Sequence, residues 1–255
     1  MKLGISTASL YPLETEKALT ELCKSGVKYT EIFFNCSFEL EPEFIKELSK
    51  IAKEYGTEIT AVHPTMSLAE SFMLFSNYDR RLKEGLDDFK RYGEIAAELG
   101  AKYVILHGGK PNGILNDLEY CERFSLVNNC VKQGGGILLQ ENVVKFRAGD
   151  LGFLKMMVEN LGDEIGFCLD VKQSKRGGYT PFDVIDAVGK NIRHLHISDN
   201  SSSKDCMLPG KGTFDFKRLF SRMEELSFSG TYIIEVYRNA YKEYKELTES
   251  LNALK

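Results

Sequence analysis

The sequence predicts an α/β protein built as a single (β/α)8 TIM barrel, and three observations carry that expectation. Short apolar or β-branched runs alternate with longer amphipathic stretches from end to end, the pattern of repeated βα units around a parallel sheet. Eight such units follow one another with no linker, proline-rich spacer or break in composition, so residues 1–255 are expected to form one domain. No GxGxxG or GxxxxGK[ST] occurs, which removes the main support for a doubly wound nucleotide-binding sheet.

Taken in order, the first strand, Lys2–Ser6, leads through the turn STASLYPLE into a helix over Glu14–Lys24, with Gly26 placed to end it. Tyr29–Phe34 is followed by Pro42–Tyr55 and Gly56, and Glu58–His63 by Tyr78–Leu99 and Gly100. Tyr103–His107 is followed by Leu115–Lys132 and Gly134, and Ile137–Glu141 by Asp150–Leu161 and Gly162. The last three units pair Ile165–Asp170 with Pro181–Val188, Ile192–Ser198 with Phe216–Leu226, and Thr231–Val236 with Ala240–Leu251.

Composition narrows the function classes. With 43% apolar and 27% charged residues the chain can bury one large core. The net charge of -4, with lysines and glutamates mixed along the helices, argues against a dedicated nucleic-acid binder. The N-terminal residues lack the regions of a signal peptide and no apolar run is long enough for a membrane span, so a cytoplasmic location without a membrane partner is expected. The six cysteines contain no CxxC pair and are expected to be free thiols. Oligomeric state cannot be read from the chain.

Strands buried on both faces should be almost continuously apolar, so a charged or imidazole group near a strand's C-terminal end is costly without a partner. Seven of the eight strands carry one: Glu31, His63, His107, Glu141, Asp170, His196 and Glu235. All four histidines of the chain belong to this set, counting His194 two residues before His196 on the same strand face. Taken singly, each has an ordinary structural role open to it. A lone strand histidine is more often a hydrogen-bonded core residue than a ligand, His194 lies one layer deeper, and Glu31 is as well placed to neutralise a lysine as to touch a substrate.

Together they say more. In a barrel the strand ends converge on one mouth, where active sites are built. Three carboxylates and an imidazole converging there would repel and perturb one another unless a cation were present. Glu141, Asp170, His196 and Glu235 are therefore the expected metal ligands. An oxygen-rich set with one imidazole suits Mn²⁺ best, with Mg²⁺ or Co²⁺ as alternatives, whereas added ligation by His63 and His107 would open a second, Zn²⁺-like site. A divalent ion holding adjacent carbonyl and hydroxyl oxygens acidifies the C–H between them, and Glu141 and Glu235 could pass that proton through an enediolate.

These residues resemble the xylose isomerase-like barrel superfamily, which includes sugar and sugar-phosphate isomerases and epimerases, hydroxypyruvate isomerases and metal-dependent apurinic endonucleases. The likeness covers essentially the whole chain. It is carried by LLQEN around Glu141, FCLD at Asp170, HLHISDN at His196, PGKG at 209–212 followed by Phe214, Asp215 and Phe216, and IIEVY around Glu235. The resemblance implies a small-molecule carbohydrate substrate, metal ligation by Glu141, Asp170, His196 and Glu235, and proton transfer by the two glutamates as catalytic residues. It places His63 and His107 on the substrate side, or on metal as in the endonuclease branch.

Two departures narrow the choice. Superfamily members commonly carry a histidine three residues after the strand-six aspartate, where this chain has Gln173. The endonucleases pair that histidine with an Asp-x-His near the strand-seven loop, where Lys204, Asp205, Cys206 and Met207 stand here. A third zinc is therefore not expected, and phosphodiester cleavage becomes the alternative rather than the leading reading; a non-catalytic sugar-binding barrel is a third. Gln173 also departs from the epimerase pattern, which implies a substrate unlike the well-studied ketohexoses or a diverged activity. Glu31, His63, His107, Lys172 and Gln173 are the expected substrate-facing residues, and Lys110, Lys145, Arg147, Lys175 and Arg176 are further basic groups near the mouth. These bases either meet a phosphate or carboxylate or are exposed loop side chains without a ligand.

Overall fold

A computed structural model of the chain describes residues 1–65 and 67–254. Eight parallel strands pair in sequence order and close into a barrel, β1 bonding to both β2 and β8. The strands are β1 (Lys2–Ser6), β2 (Tyr29–Phe33), β3 (Glu58–His63), β4 (Tyr103–Leu106), β5 (Ile137–Glu141), β6 (Gly166–Asp170), β7 (Ile192–Ile197) and β8 (Thr231–Ile234).

The eight expected helices are present: α1 (Thr15–Lys24), α2 (Pro42–Tyr55), α4 (Asp79–Leu99), α5 (Asp117–Gly134), α6 (Leu151–Leu161), α8 (Pro181–Val188), α9 (Phe216–Glu225) and α10 (Lys245–Ala253). Two short ones, α3 (Ser67–Met73) and α7 (Val171–Arg176), were not expected, because neither is long enough to show helical periodicity. The last helix starts later than expected, since Arg238–Ala240 form a separate 3-10 turn.

Strand period fixes what faces inward. Side chains alternate across each strand, so Ala61, Tyr103, Ile105, Leu139 and Cys168 form a small cluster inside the barrel, while Ile5, Ile32, Val62, Leu138, Leu169 and Ile234 join the larger core under the helices. Gly4 is needed at the barrel floor, because a Cβ there would lie 2.1 Å from the Tyr29 carbonyl oxygen and 2.7 Å from Ile233.

Several strands stop short of their expected ends because the next amides find partners outside the ladder. His107 and Gly108 both donate their backbone N–H to Glu70 Oε2 on α3, each at 2.8 Å. The amide of Val236 donates to Ser9 Oγ at 3.2 Å, and Ser9 Oγ donates to the Ile234 carbonyl at 3.2 Å. The helix-ending glycine after α5 is Gly135, in the left-handed region, rather than Gly134. Gly134 instead lets α5 press on α4, where a Cβ would meet the Lys90 carbonyl at 2.4 Å. All six cysteines are free thiols. No helix among the described residues is long and apolar enough to cross a membrane.

Candidate active site at the barrel mouth

The same parity that fills the barrel places His63, His107, Glu141, Asp170, His196 and Glu235 at its upper end. Ligand-capable atoms of Glu141, Asp170, His196 and Glu235 all lie within 4.8 Å of one another. His196 Nδ1 is 3.4 Å from Glu141 Oε1, 3.7 Å from Glu235 Oε2 and 4.0 Å from Asp170 Oδ2.

The motifs around these residues hold them in place. Gln140 donates to the Leu106 and His107 carbonyls at 3.1 and 3.0 Å, while Asn142 Oδ1 accepts from the Asp170 amide at 2.7 Å. Glu141 is thereby clamped to the strand on either side. Asp170 caps α7, its Oδ1 accepting from the Gln173 amide at 2.9 Å, which leaves Oδ2 turned into the cluster. Gly108 can approach only as glycine: its φ is +91° and a Cβ would sit 2.0 Å from the Tyr120 hydroxyl.

One layer below, Glu31 is fully buried and takes both imidazoles, His194 Nε2 and His196 Nε2, at 3.0 Å each, with the Ser6 hydroxyl at 3.2 Å. Glu31 therefore neither neutralises a lysine nor lines the cleft, unlike either expectation for it. Burial by itself pushes its carboxyl up, and His196 and His194 outweigh that and hold it below the usual carboxylate range. Because Glu31 engages His196 Nε2, Nδ1 is the ring nitrogen turned toward the three upper carboxylates, and it would bind an ion on losing its proton.

Lys172 is the surprise of the site. It lines the cleft, as expected, but from α7 and buried in the cluster, with Nζ 2.6 Å from Glu235 Oε2 and 3.1 Å from Asp170 Oδ2. Burial alone would lower its pKa, but Asp170 and Glu235 raise it well above the ordinary lysine value. Burial pushes Asp170 up to about 6, against the pull of Lys172.

The cluster opens into a cleft of about 300 Å³ lined by His63, His107, Glu141, Lys172, Gln173, Glu235 and Tyr237, with Tyr11, Phe33 and Asn35 on the β1–β2 side. Phe33 stacks on His63 at 4.4 Å between ring centroids. His63 and His107 face each other Nε2 to Nε2 at 3.0 Å, and both approach Glu141 Oε2, at 3.7 and 2.9 Å. Gln173 spends its Oε1 on the Val144 amide at 3.3 Å. Of the outer bases, Arg147 is committed to Asp117 and the Leu115 carbonyl, and Lys110 lies over the Phe72 ring.

The residues fit a divalent cation on the chemistry of the donors. Asp170 Oδ2 and Glu141 Oε2 are buried oxygens whose contacts, to Lys172 at 3.1 Å and His107 at 2.9 Å, are ion pairs without hydrogen-bond geometry, and such carboxylate oxygens are stabilised by added positive charge. A second group, His63, His107 and Glu141, has its ligand atoms equally close. Sequence reasoning missed Glu70, whose carboxylate fixes the strand carrying His107; it sits on the short α3, where no periodic signal points to it.

This combination of closed barrel and acidic mouth defines a class. Residues 19–255 match the family described as xylose isomerase-like TIM barrel, and the chain belongs to it. Its similarity to the fructoselysine 3-epimerase of Escherichia coli O157:H7 is 25% identity over 282 residues, covering 100% of this chain and 98% of that protein. Among solved structures, a D-tagatose 3-epimerase-like protein superposes with a TM-score of 0.80 at 21% identity, covering 100% of this chain and 98% of the other. The IOLI protein with a bound zinc atom superposes with a TM-score of 0.74 at 21% identity, covering 100% and 96%. The two structural likenesses establish the fold.

Proposed function

We propose that this chain is a divalent-metal-dependent isomerase or epimerase of a sugar or sugar phosphate, moving a proton on a carbon next to a carbonyl. The observation that carries the reading is the Glu141, Asp170, His196 and Glu235 set at the floor of a cleft of about 300 Å³. The family's named epimerases and isomerases support it. Glu141, Asp170, His196 and Glu235 would hold the ion, with Mn²⁺ the best match to three carboxylates and one imidazole. When bound, the metal supplies positive charge that stabilises negative charge developing on the substrate carbonyl oxygen.

The chain's own residues do the rest. Glu141 and Glu235 both line the cleft and come from β5 and the end of β8, so each can face the substrate carbon from its own side. One removes the proton as a carboxylate, and the other, once it has taken a proton from solvent, delivers it to the opposite face of the carbon. Both carboxyls are held ionised: burial raises each, but His107 and His196 outweigh it at Glu141, and Lys172 and His196 at Glu235. His63 and His107 offer hydrogen bonds to substrate hydroxyls, and Gln173 offers its Nε2 amide. The test is exchange of a substrate C–H with solvent deuterium across a panel of ketoses, dependent on added Mn²⁺. Glu141→Gln should abolish exchange, a loss of at least about a hundredfold; full exchange in that variant removes Glu141 from the proton path.

A second reading rests on His63, His107 and Glu141, whose ligand atoms also lie within 4.8 Å of one another. Two zinc ions per chain, with nicking of abasic duplex DNA, would place the protein with the phosphodiester-cleaving branch. One ion per chain by elemental analysis favours the isomerase.

A further inference from the structure

Beside the cleft lies a second cavity that the proton-transfer chemistry does not use. It encloses about 600 Å³ and is walled by the loops that follow β6, β7 and β8, including Lys175, Arg176, Lys204 and Lys211. Against these four cations Asp205 is the one acidic residue in the wall. The imbalance is notable on a chain whose net charge is -4.

The cations are arranged rather than scattered. Arg176 pairs with Asp205 through Nε and donates from Nη1 to the Tyr237 hydroxyl at 2.8 Å. Lys175 bonds only neutral acceptors, Asn200 Oδ1 and the Ser201 carbonyl, so its charge is uncompensated. Lys204 and Lys211 are exposed and make no side-chain ion pair among the described residues; Lys211 acts on Glu246 at longer range.

Lys211 sits in the PGKG turn, which the catalytic reading leaves without a role. That turn is rigidly mounted: buried Asp199 accepts from the amides of Gly210, Gly212 and Phe214 at 2.9 Å and of Asn200 at 2.7 Å. The two cavities share Tyr237 as a wall. Lys172 Nζ lies 5.2 Å and the Arg176 guanidinium 5.4 Å from the centre of that ring.

We propose that this cavity is a subsite for an oxyanion, a phosphate or carboxylate borne on the substrate at the end remote from the reacting carbon. The idea that the anion belongs to the substrate rests on the isomerase reading above; the oxyanion site itself does not. A ligand whose carbonyl end lies against Glu141 and Glu235 would pass Tyr237 and deliver its charge to Lys175, Lys204 and Lys211. Cations at close quarters bind oxyanions through charge-assisted hydrogen bonds, and a fixed turn limits the ordering cost.

Equilibrium dialysis of the purified full chain against inorganic phosphate at constant ionic strength tests the site, with K204M/K211M as the comparison. Both lysines are exposed, and an unchanged melting temperature checks that the variant folds. One phosphate per wild-type chain, with affinity at least tenfold weaker in the variant, is expected. Phosphate bound elsewhere, at a metal for instance, would be indifferent to the variant, and equal affinity in both proteins overturns the proposal. D-fructose 6-phosphate and D-glucuronate, each compared with D-fructose, then separate the sources. Tighter binding of the first assigns phosphate and of the second carboxylate, with the preference lost in K204M/K211M. No preference for either over D-fructose also overturns it. Failure of every ketose to exchange deuterium would defeat the isomerase reading and leave the dialysis result standing.

Discussion

Lys172 Nζ lies 2.6 Å from Glu235 Oε2 and 3.1 Å from Asp170 Oδ2, so an ammonium carried by the chain itself bridges two of the three carboxylates of the acidic cluster. It is held there by the two carboxylates: with the Lys172 side chain 4% and that of Glu235 14% exposed, solvent screens the pair only weakly. Lys172 is thus a tethered cation that balances the carboxylates.

Replacing it exposes that balance. Lys172→Met should lower the stability of metal-free protein by about 3–5 kcal/mol, the usual cost of removing one partner from a buried pair. The midpoint of thermal unfolding should fall by on the order of 10 °C. Added Mn²⁺ should recover more of the midpoint in the variant than in wild type, because a second cation then answers carboxylates that have lost the first. Calorimetry of both proteins with and without the ion checks this; an unchanged midpoint in the metal-free variant would show that Lys172 does not neutralise the cluster.

Glu31 acts on the same site from below. Its carboxylate engages His196 Nε2 and so aims Nδ1 at the upper carboxylates. Glu31→Gln keeps the shape but weakens that hold, and loss of such a supporting hydrogen bond typically reduces metal affinity 10–100-fold. Competition against a chelator measures the change. Wild-type affinity in Glu31→Gln would mean that His196 keeps its orientation without Glu31.

How much of this could be read from the chain depends on the signal each residue leaves. The eight strands and eight major helices were legible because each repeats an apolar pattern long enough to recognise. The inward-facing mouth residues were legible because a charge at the end of a buried strand needs a reason. Glu31 was placed on the correct strand but given the wrong surroundings, and Lys172 was expected on the cleft side without its ion pairs to Asp170 and Glu235, since sequence fixes parity along a strand and not which neighbour a long side chain reaches. Glu70 left no signal at all. Its role comes from two backbone amides more than thirty residues away, a contact that exists only once the barrel has closed.

Glu70 is testable on that ground. Its Oε2 satisfies the amides of His107 and Gly108, which would otherwise be buried near the cleft without partners. Glu70→Ala should cost about 1–3 kcal/mol for each amide left unsatisfied. It should also lower turnover by displacing His107, while metal affinity at Asp170, His196 and Glu235 stays near wild type. Paired measurement of unfolding free energy and deuterium exchange separates the two effects. Unaltered stability would mean that water replaces the carboxylate without loss.

The pH dependence of metal binding follows from Asp170. Burial raises its carboxyl to about 6, with Glu141 and Glu235 adding to the rise and Lys172 opposing it. In metal-free protein a raised carboxyl stabilises the fold at low pH, and that contribution is lost as pH rises through about 6. Metal reverses the preference, because the ion binds the carboxylate and must displace the proton. Affinity for Mn²⁺ should therefore fall steeply below pH 6, approaching tenfold per pH unit for each proton displaced. The thermal gain from a fixed concentration of Mn²⁺ should be smaller at pH 5 than at pH 7.5, since that gain tracks the ratio of free ion to dissociation constant. Scanning fluorimetry across that range reads it directly. An equal gain at both ends would mean that Asp170 is already ionised at pH 5, or that the ion is held without it, and Asp170→Asn at pH 7.5 distinguishes the two by losing the gain only in the first case.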